Sequence, residues 1–236
     1  MDAVLLAAGL GTRLRPHTLT VPKPLLKVQG RPVLDWTISA LPRQVTRLVV
    51  VVNYLAEQVE EYLAGQKHIT NWATVRQTTP RGTWDALWSC RQALTGGSFL
   101  VLNGDDLFGT ADLADLAALP EKGFEGGVLT HSVANPKQYG IAFTREDGTL
   151  DKLVEKPDLP GPMLANTGAY LYPGRAFDHT PFLSPRNEFE ITDLVNLLAK
   201  DGKMMPVAAK AWRPIGDIPA WEAAQTADLS PFAPAR

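Results

Sequence analysis

At 236 residues and 45% hydrophobic, the chain is long enough to bury a substantial core and short enough to form one domain. Its 23 Lys and Arg against 25 Asp and Glu leave a net charge of −2, which argues against general binding to nucleic acid or to a membrane surface. The single cysteine, Cys90, rules out an internal disulfide framework. No secretory leader pattern and no apolar run of membrane-spanning length is present, so the expectation is a cytoplasmic protein.

In chain order, "AVLLAA" (3–8), "TRLVVVVN" (46–53) and "SFLVLNGDD" (98–106) are Val/Leu-rich without polar alternation, as in strands buried on both faces. Between them, 32–41, 55–65 and 83–94 carry apolar residues at three- and four-residue spacing and are expected to be helices, the second ending on Gly65. Cys90 stands on the third and reads as a small buried hydrophobe. This alternation predicts an α/β fold: a single Rossmann-like domain with a mixed, mostly parallel central sheet flanked by helices. Beyond about residue 125, "GGVLTHSV", "YGIAFTREDGTLDKLVEK" and "NTGAYLYP" read as strands, with "EDGT" as a hairpin turn. Helical patterns return in "FEITDLVNLLAKDG" and "PAWEAAQTA", and the last residues, 227–236, read as a loose tail.

The charge is unevenly spread. From Ala3 to Leu34 there are five Lys/Arg and no Asp/Glu, in a segment that opens with "LAAGLGTRLRPHTLTVPKPLL". A glycine turn after a first buried strand lets backbone N–H groups approach phosphate oxygens. The dinucleotide fingerprint fails, because its third glycine would fall on Leu14. A Walker loop fails for want of Gly-Lys-Ser/Thr, and the prolines forbid a helix directly after the turn. What remains is an extended basic loop, carrying Arg13 and Lys23, that can fold over a phosphorylated ligand.

This stretch resembles the N-terminal signature of the sugar-1-phosphate nucleotidylyltransferases, L-A-[AG]-G-x-G-T-R-L-x-P followed by P-K-[PQ]-L. The likeness continues through "QTTPRGTWDAL", "VLNGDD", "VEKP" and "NTGAYLY". It implies transfer of a nucleotidyl group from a nucleoside triphosphate (NTP) to a sugar 1-phosphate, with Mg²⁺ as cofactor and pyrophosphate as the second product. The resemblance assigns Arg13 and Lys23 to catalysis, as phosphate-neutralising cations. Leu6, Ala8, Gly9, Gly11, Thr12, Gln77, Gly82 and Thr83 fall to the nucleotide, and Tyr139, Gly140, Glu155, Lys156, Asn166 and Thr167 to the sugar phosphate. The metal falls to Asp105, with Asp106 beside it expected to point elsewhere. A second metal carboxylate is expected near the C-terminus in a W-x-D-[IV]-G-x-P-like segment. Asp217 in "WRPIGDIPAW" is the candidate, with Pro219 where the family has glycine; a simple helix cap is its alternative.

On this reading residues 1–125 mainly hold the nucleotide, 126–226 mainly hold the sugar phosphate, and the partners are those two substrates, with no nucleic acid or membrane. The state is a monomer or small homo-oligomer. No left-handed β-helix pattern occurs in the chain, so a second, acyl-transferring activity is not expected. The short form resembles N-acetylmuramate-1-phosphate and hexose-1-phosphate nucleotidylyltransferases. Two alternatives stay open: a cytidylyltransferase for a non-sugar phosphate or phosphonate such as phosphocholine, and a non-catalytic nucleotide-sugar-binding regulator. The base is open among UTP, dTTP, CTP and GTP, with a lean to a pyrimidine.

Overall fold

The computed structural model describes residues 1–234. The first half is a strand–helix succession: β1 (Asp2–Leu6), the short pair β2 (Lys27–Val28) and β3 (Arg31–Pro32), α1 (Val33–Ala40), β4 (Arg47–Val52), α2 (Ala56–Gly65), β5 (Trp72–Arg76), α3 (Thr83–Ser89) and β6 (Phe99–Asn103). Then come β7 (Asp106–Phe108), α4 (Thr110–Ala117), β8 (Gly126–Val133), β9 (Gly140–Thr144), β10 (Leu150–Glu155), β11 (Met163–Tyr172), α5 (Ile191–Ala199), β12 (Met204–Ala208), β13 (Trp212–Pro214) and α6 (Ile218–Ala224).

One nine-stranded sheet runs in the order β10-β9-β11-β6-β1-β4-β5, with β8 pairing both β11 and β12. The stretch β6-β1-β4-β5 is parallel, because each connection is a crossover; β11 joins β6, β8 and β9 antiparallel. The fold is therefore the expected single α/β domain with a mixed, mostly parallel central sheet. β4 is "RLVVVV", and five of its six residues are buried, the pattern of a strand covered on both faces. One apolar cluster covers one face around Leu34, Leu63 and Leu116; a second covers the other around Trp84, Leu87 and Leu194. α5 contributes Ile191, Leu194, Val195 and Leu198, spaced along one helical face. Cys90 is fully buried and behaves as the small hydrophobe its pattern suggests. No helix among the described residues is long and apolar enough to cross a membrane.

Three expectations need correction. The basic loop is not extended: it folds back through three 3₁₀ turns, Thr12–Leu14, His17–Leu19 and Lys23–Leu25. Its prolines prevent an α-helix but leave single turns available. Gly11 makes the fold-back possible with φ +62°, and its carbonyl accepts from Thr18 Oγ1 at 2.7 Å. The third expected helix stops at Ser89, short of residue 94. The C-terminal tail is not loose either. Leu229 and Phe232 are 5% and 4% exposed, in a third apolar cluster with Val28, Trp36, Leu107 and Ile215. Residues 235–236 of that expectation lie outside the described residues.

Candidate functional site

β1 sits between β4 and β6, so the chain leaves it in opposite directions on its two sides. The C-terminal ends of β1 and β6 therefore form a topological switch point, where open α/β sheets bind their ligands. Gly104 N–H donates to Leu6 O at 3.0 Å, which ties the loops after these two strands together and brings Asp105 beside the glycine turn.

Two adjoining cavities open there. The smaller, about 310 Å³, is lined by Leu6, Ala8, Gly9, Lys23, Gln77, Gly82 and Thr83 among others. The larger, about 700 Å³, is lined by Tyr139, Gly140, Glu155, Lys156, Asn166 and Thr167, together with Arg13, Asp105 and Asp217. Asp105, Asn103, Thr83 and Glu188 line both. Of the residues singled out in the sequence, only Gly11 and Thr12 line neither; Gly11 shapes the loop instead.

The smaller cavity is held by backbone contact. Gly82 has φ +133°, and a Cβ there would run into the Phe189 backbone. That closeness lets Trp84 N donate to Phe189 O at 2.9 Å and Ile191 N to Thr83 Oγ1 at 3.0 Å, so the start of α5 is pinned to the start of α3. Lys23 is buried, and its Nζ meets Asp105 Oδ2 at 2.5 Å. Among the described residues, Arg13 and Lys156 make no ion pair although both line the larger cavity. Two unpaired cations facing one cleft suit anionic ligands. Lys156 adopts φ +46°, a conformation uncommon for a non-glycine residue, with its N–H bonded to Tyr139 O at 2.9 Å.

The acceptor-side residues are braced. Asn166 donates from Nδ2 to Tyr170 Oη at 2.7 Å and accepts from Gly168 N at 2.9 Å. Thr167 donates its hydroxyl to Leu129 O at 3.0 Å. Glu155 lies 3.6 Å from the Arg186 guanidinium; burial pushes its carboxyl above the usual range, against the pull of Arg186 and Lys156. Asp106, expected to point elsewhere, also lines the larger cavity. Its Oδ2 accepts from Trp212 Nε1 at 3.2 Å, and burial, then the neighbouring Asp105, push its carboxyl well above the usual range.

Asp105 offers hard carboxylate oxygens at the junction of the two cavities, and the Lys23 ammonium stands where a cation would neutralise them. No preassembled cluster of three or more His, Cys, Asp or Glu surrounds it among the described residues. One or two carboxylates completed by phosphate and water oxygens is the donor set of Mg²⁺, so the residues fit that ion. Asp217 is a partial match. Asp217 lines the larger cavity, and its Oδ1 caps α6 by accepting from Ala220 N at 3.0 Å, with Oδ2 outside that bond.

Sequence reading missed the wall supplied by 186–190. Arg186 bridges Glu155 and Glu190 and lines the larger cavity, while Glu188 lines both. Its signal was an Arg and two Glu crowded before the amphipathic run of α5, in "RNEFEITD", read there only as a helix start.

Residues 2–230 match the family model described as nucleotidyl transferase. The bifunctional protein GlmU of Methanococcus aeolicus is 32% identical over 219 residues, covering 92% of this chain and 51% of that protein. The low-salt glycan biosynthesis nucleotidyltransferase Agl11 of Haloferax volcanii is 33% identical over 208 residues, covering 86% of this chain and 58% of its own length. The chain thus spans a little over half the length of these curated relatives. A Bacillus anthracis protein described as a glucose-1-phosphate thymidylyltransferase, crystallised with a sucrose, superposes with a TM-score of 0.84 at 26% identity, covering 98% of each chain.

Proposed function

This chain belongs to the nucleotidyl transferase family, and we propose that it joins an NTP to a sugar 1-phosphate, releasing pyrophosphate and a nucleotide sugar. A phosphate oxygen of the acceptor attacks the α-phosphorus; the bond from that phosphorus to the β-phosphate bridging oxygen breaks, and pyrophosphate leaves with the electron pair. No side-chain nucleophile is needed, so the protein's tasks are to align two anions and offset their charge.

The observation that carries this reading is the pair of adjoining cavities. The expected nucleotide residues other than Gly11 and Thr12 line one, the expected sugar-phosphate residues line the other, and Asp105 stands at the junction. Leu6 and Ala8 flank base and ribose, Gln77 and Gly82 read the base, and Gly9 offers its N–H to phosphate. Arg13 clamps the departing phosphates with a multi-donor plane, and Lys23 neutralises the α-phosphate once it turns from Asp105. Lys156, joined by Arg186, holds the acceptor phosphate; Glu155 accepts from sugar hydroxyls beside Tyr139 and Gly140, with Asn166 and Thr167 closing the floor. Asp105, with the free oxygen of Asp217, would hold Mg²⁺, which when bound supplies positive charge to the phosphate oxygens. Residues 1–125 thus serve the nucleotide and 126–226 the acceptor, with 186–190 reaching across.

A cytoplasmic setting fits a chain whose single cysteine, Cys90, is free and buried. The unpaired Arg13 and Lys156 speak against a regulator that has given up phosphate handling. The test is pyrophosphate release from a panel of NTPs and phosphorylated acceptors. Release that requires both a sugar 1-phosphate and a divalent cation supports the reading. Release with phosphocholine and not with sugar phosphates would replace the acceptor class, and release with none would overturn it.

A further inference from the structure

Gln77 is buried in the wall of the smaller cavity, and its amide is not free to present either end. Nε2 donates to Asp85 Oδ2 at 2.8 Å and to Gly82 O at 3.3 Å. Asp85 is itself buried on the first turn of α3, and its other oxygen accepts from Arg81 at 2.6 Å. The Arg81 guanidinium lies 5.3 Å from the centre of the Phe189 ring, which fixes that side of the pair. A carboxylate paired with a guanidinium accepts and does not donate. Reversing the Gln77 amide would set its carbonyl oxygen against the carboxylate oxygen. The orientation therefore follows from the partners' chemistry. With both Nε2 hydrogens committed, Oε1 is the atom of that amide with hydrogen-bonding capacity to spare, and it can only accept.

We propose that Asp85 is a positioning residue that turns Gln77 into a pure acceptor, so that the cleft selects bases presenting a ring N–H on the pairing edge: uracil, thymine or guanine over cytosine or adenine. The proposal rests on the nucleotide reading of the smaller cavity. In cytosine and adenine the corresponding ring nitrogen is an acceptor, so an Oε1 set opposite it stays unpaired unless the base shifts to bring its exocyclic amino group there instead. A freely turning glutamine could answer either edge by flipping; one tethered to a buried carboxylate cannot. Leaving buried polar groups unpaired in this way discriminates by about tenfold or more.

The test measures binding, apart from turnover, of UTP, dTTP, GTP, CTP and ATP to the full chain with Mg²⁺ and no acceptor. The wild-type protein should bind the best of UTP, dTTP and GTP about tenfold or more tighter than CTP or ATP. Asp85→Asn can offer an N–H to a reversed Gln77 amide, and should compress that ratio to about threefold or less with little change in Tm. Asp85→Ala removes the tether altogether and should compress it too, which covers the case of a poorly folded Asn variant. A merely structural role would weaken all five nucleotides together and leave the ratio intact. That outcome, or wild-type binding of CTP or ATP equal to the best of the others, overturns the proposal. If no nucleotide binds, the nucleotide reading itself fails, and this inference with it.

Discussion

Glu155 is asked to stay ionised in a cleft that disfavours its charge. Burial raises its carboxyl above the usual range, so the folded state holds the proton more tightly than the unfolded chain does. The sign follows: its contribution to stability is present below the unfolded pKa and is lost as pH rises through the folded one. Glu155→Gln removes an ionisation that costs stability. The variant should melt above wild type near neutral pH, with a gain that shrinks to nothing on acidification, in thermal melts followed across that range. The same change should raise KM for the sugar phosphate about tenfold, since an amide is a weaker acceptor for hydroxyls. A lower Tm than wild type at every pH would show that the Arg186 contact outweighs burial. Much of this candidate site was legible residue by residue through the resemblance, whose motif fixes the order of Gly, Arg, Lys and Asp, and most of those residues line the two cavities. Arg186 and Asp85 were not, since their importance lies in partners brought near by folding, Glu155 across the cleft and Gln77 below it.

The element that carries Glu155 is an exposed-edge problem solved by a helix. β10 pairs with β9 on one side only, and on the other Asn196 of α5 bonds Leu153 twice: Leu153 N–H donates to Oδ1 at 2.7 Å, and Nδ2 donates to Leu153 O at 3.0 Å. One side chain thus stands in for a neighbouring strand. Asn196→Ala leaves both backbone groups without that partner and should cost about 1–3 kcal/mol in denaturant unfolding. Because β10 ends at Glu155 with Lys156 next, KM for the sugar phosphate should rise while kcat holds. Unchanged stability would mean that water replaces the amide. Elements with strong patterns were readable, the Val-rich β4 and the amphipathic α5 above all. β5 and β12 were not. β5 is half-buried with no clean alternation, and β12 carries Pro206, which suits only the edge position it takes beside β8.

The whole molecule uses its C-terminal segment as a brace for the basic loop. Trp221 Nε1 donates to Lys27 O at 2.9 Å, Gln29 Nε2 donates to Ala227 O at 2.7 Å, and the His17 and Trp221 rings lie 4.7 Å apart. Leu229 and Phe232 then seal the cluster beneath that loop. Phe232→Ala should therefore cost about 3–5 kcal/mol, and a chain ending at Ala227 should melt earlier than wild type. A truncated chain with wild-type Tm would contradict the packing. The sequence hid this because Leu229 and Phe232 in "DLSPFAPAR" have no periodicity of their own, and several of their partners, Val28 and Trp36 among them, stand some two hundred residues away.

The central claim is that the acceptor's phosphate is joined to the α-phosphorus with both phosphorus atoms kept. Phosphorus NMR of the protein with Mg²⁺, an NTP and a sugar 1-phosphate reads this directly. Free pyrophosphate should appear together with a pair of coupled diphosphate resonances, as the sugar-phosphate signal disappears in step with the triphosphate. A nucleoside monophosphate beside untouched sugar phosphate would show hydrolysis, and a nucleoside diphosphate with a doubly phosphorylated sugar would show transfer of the γ-phosphate; either contradicts the account.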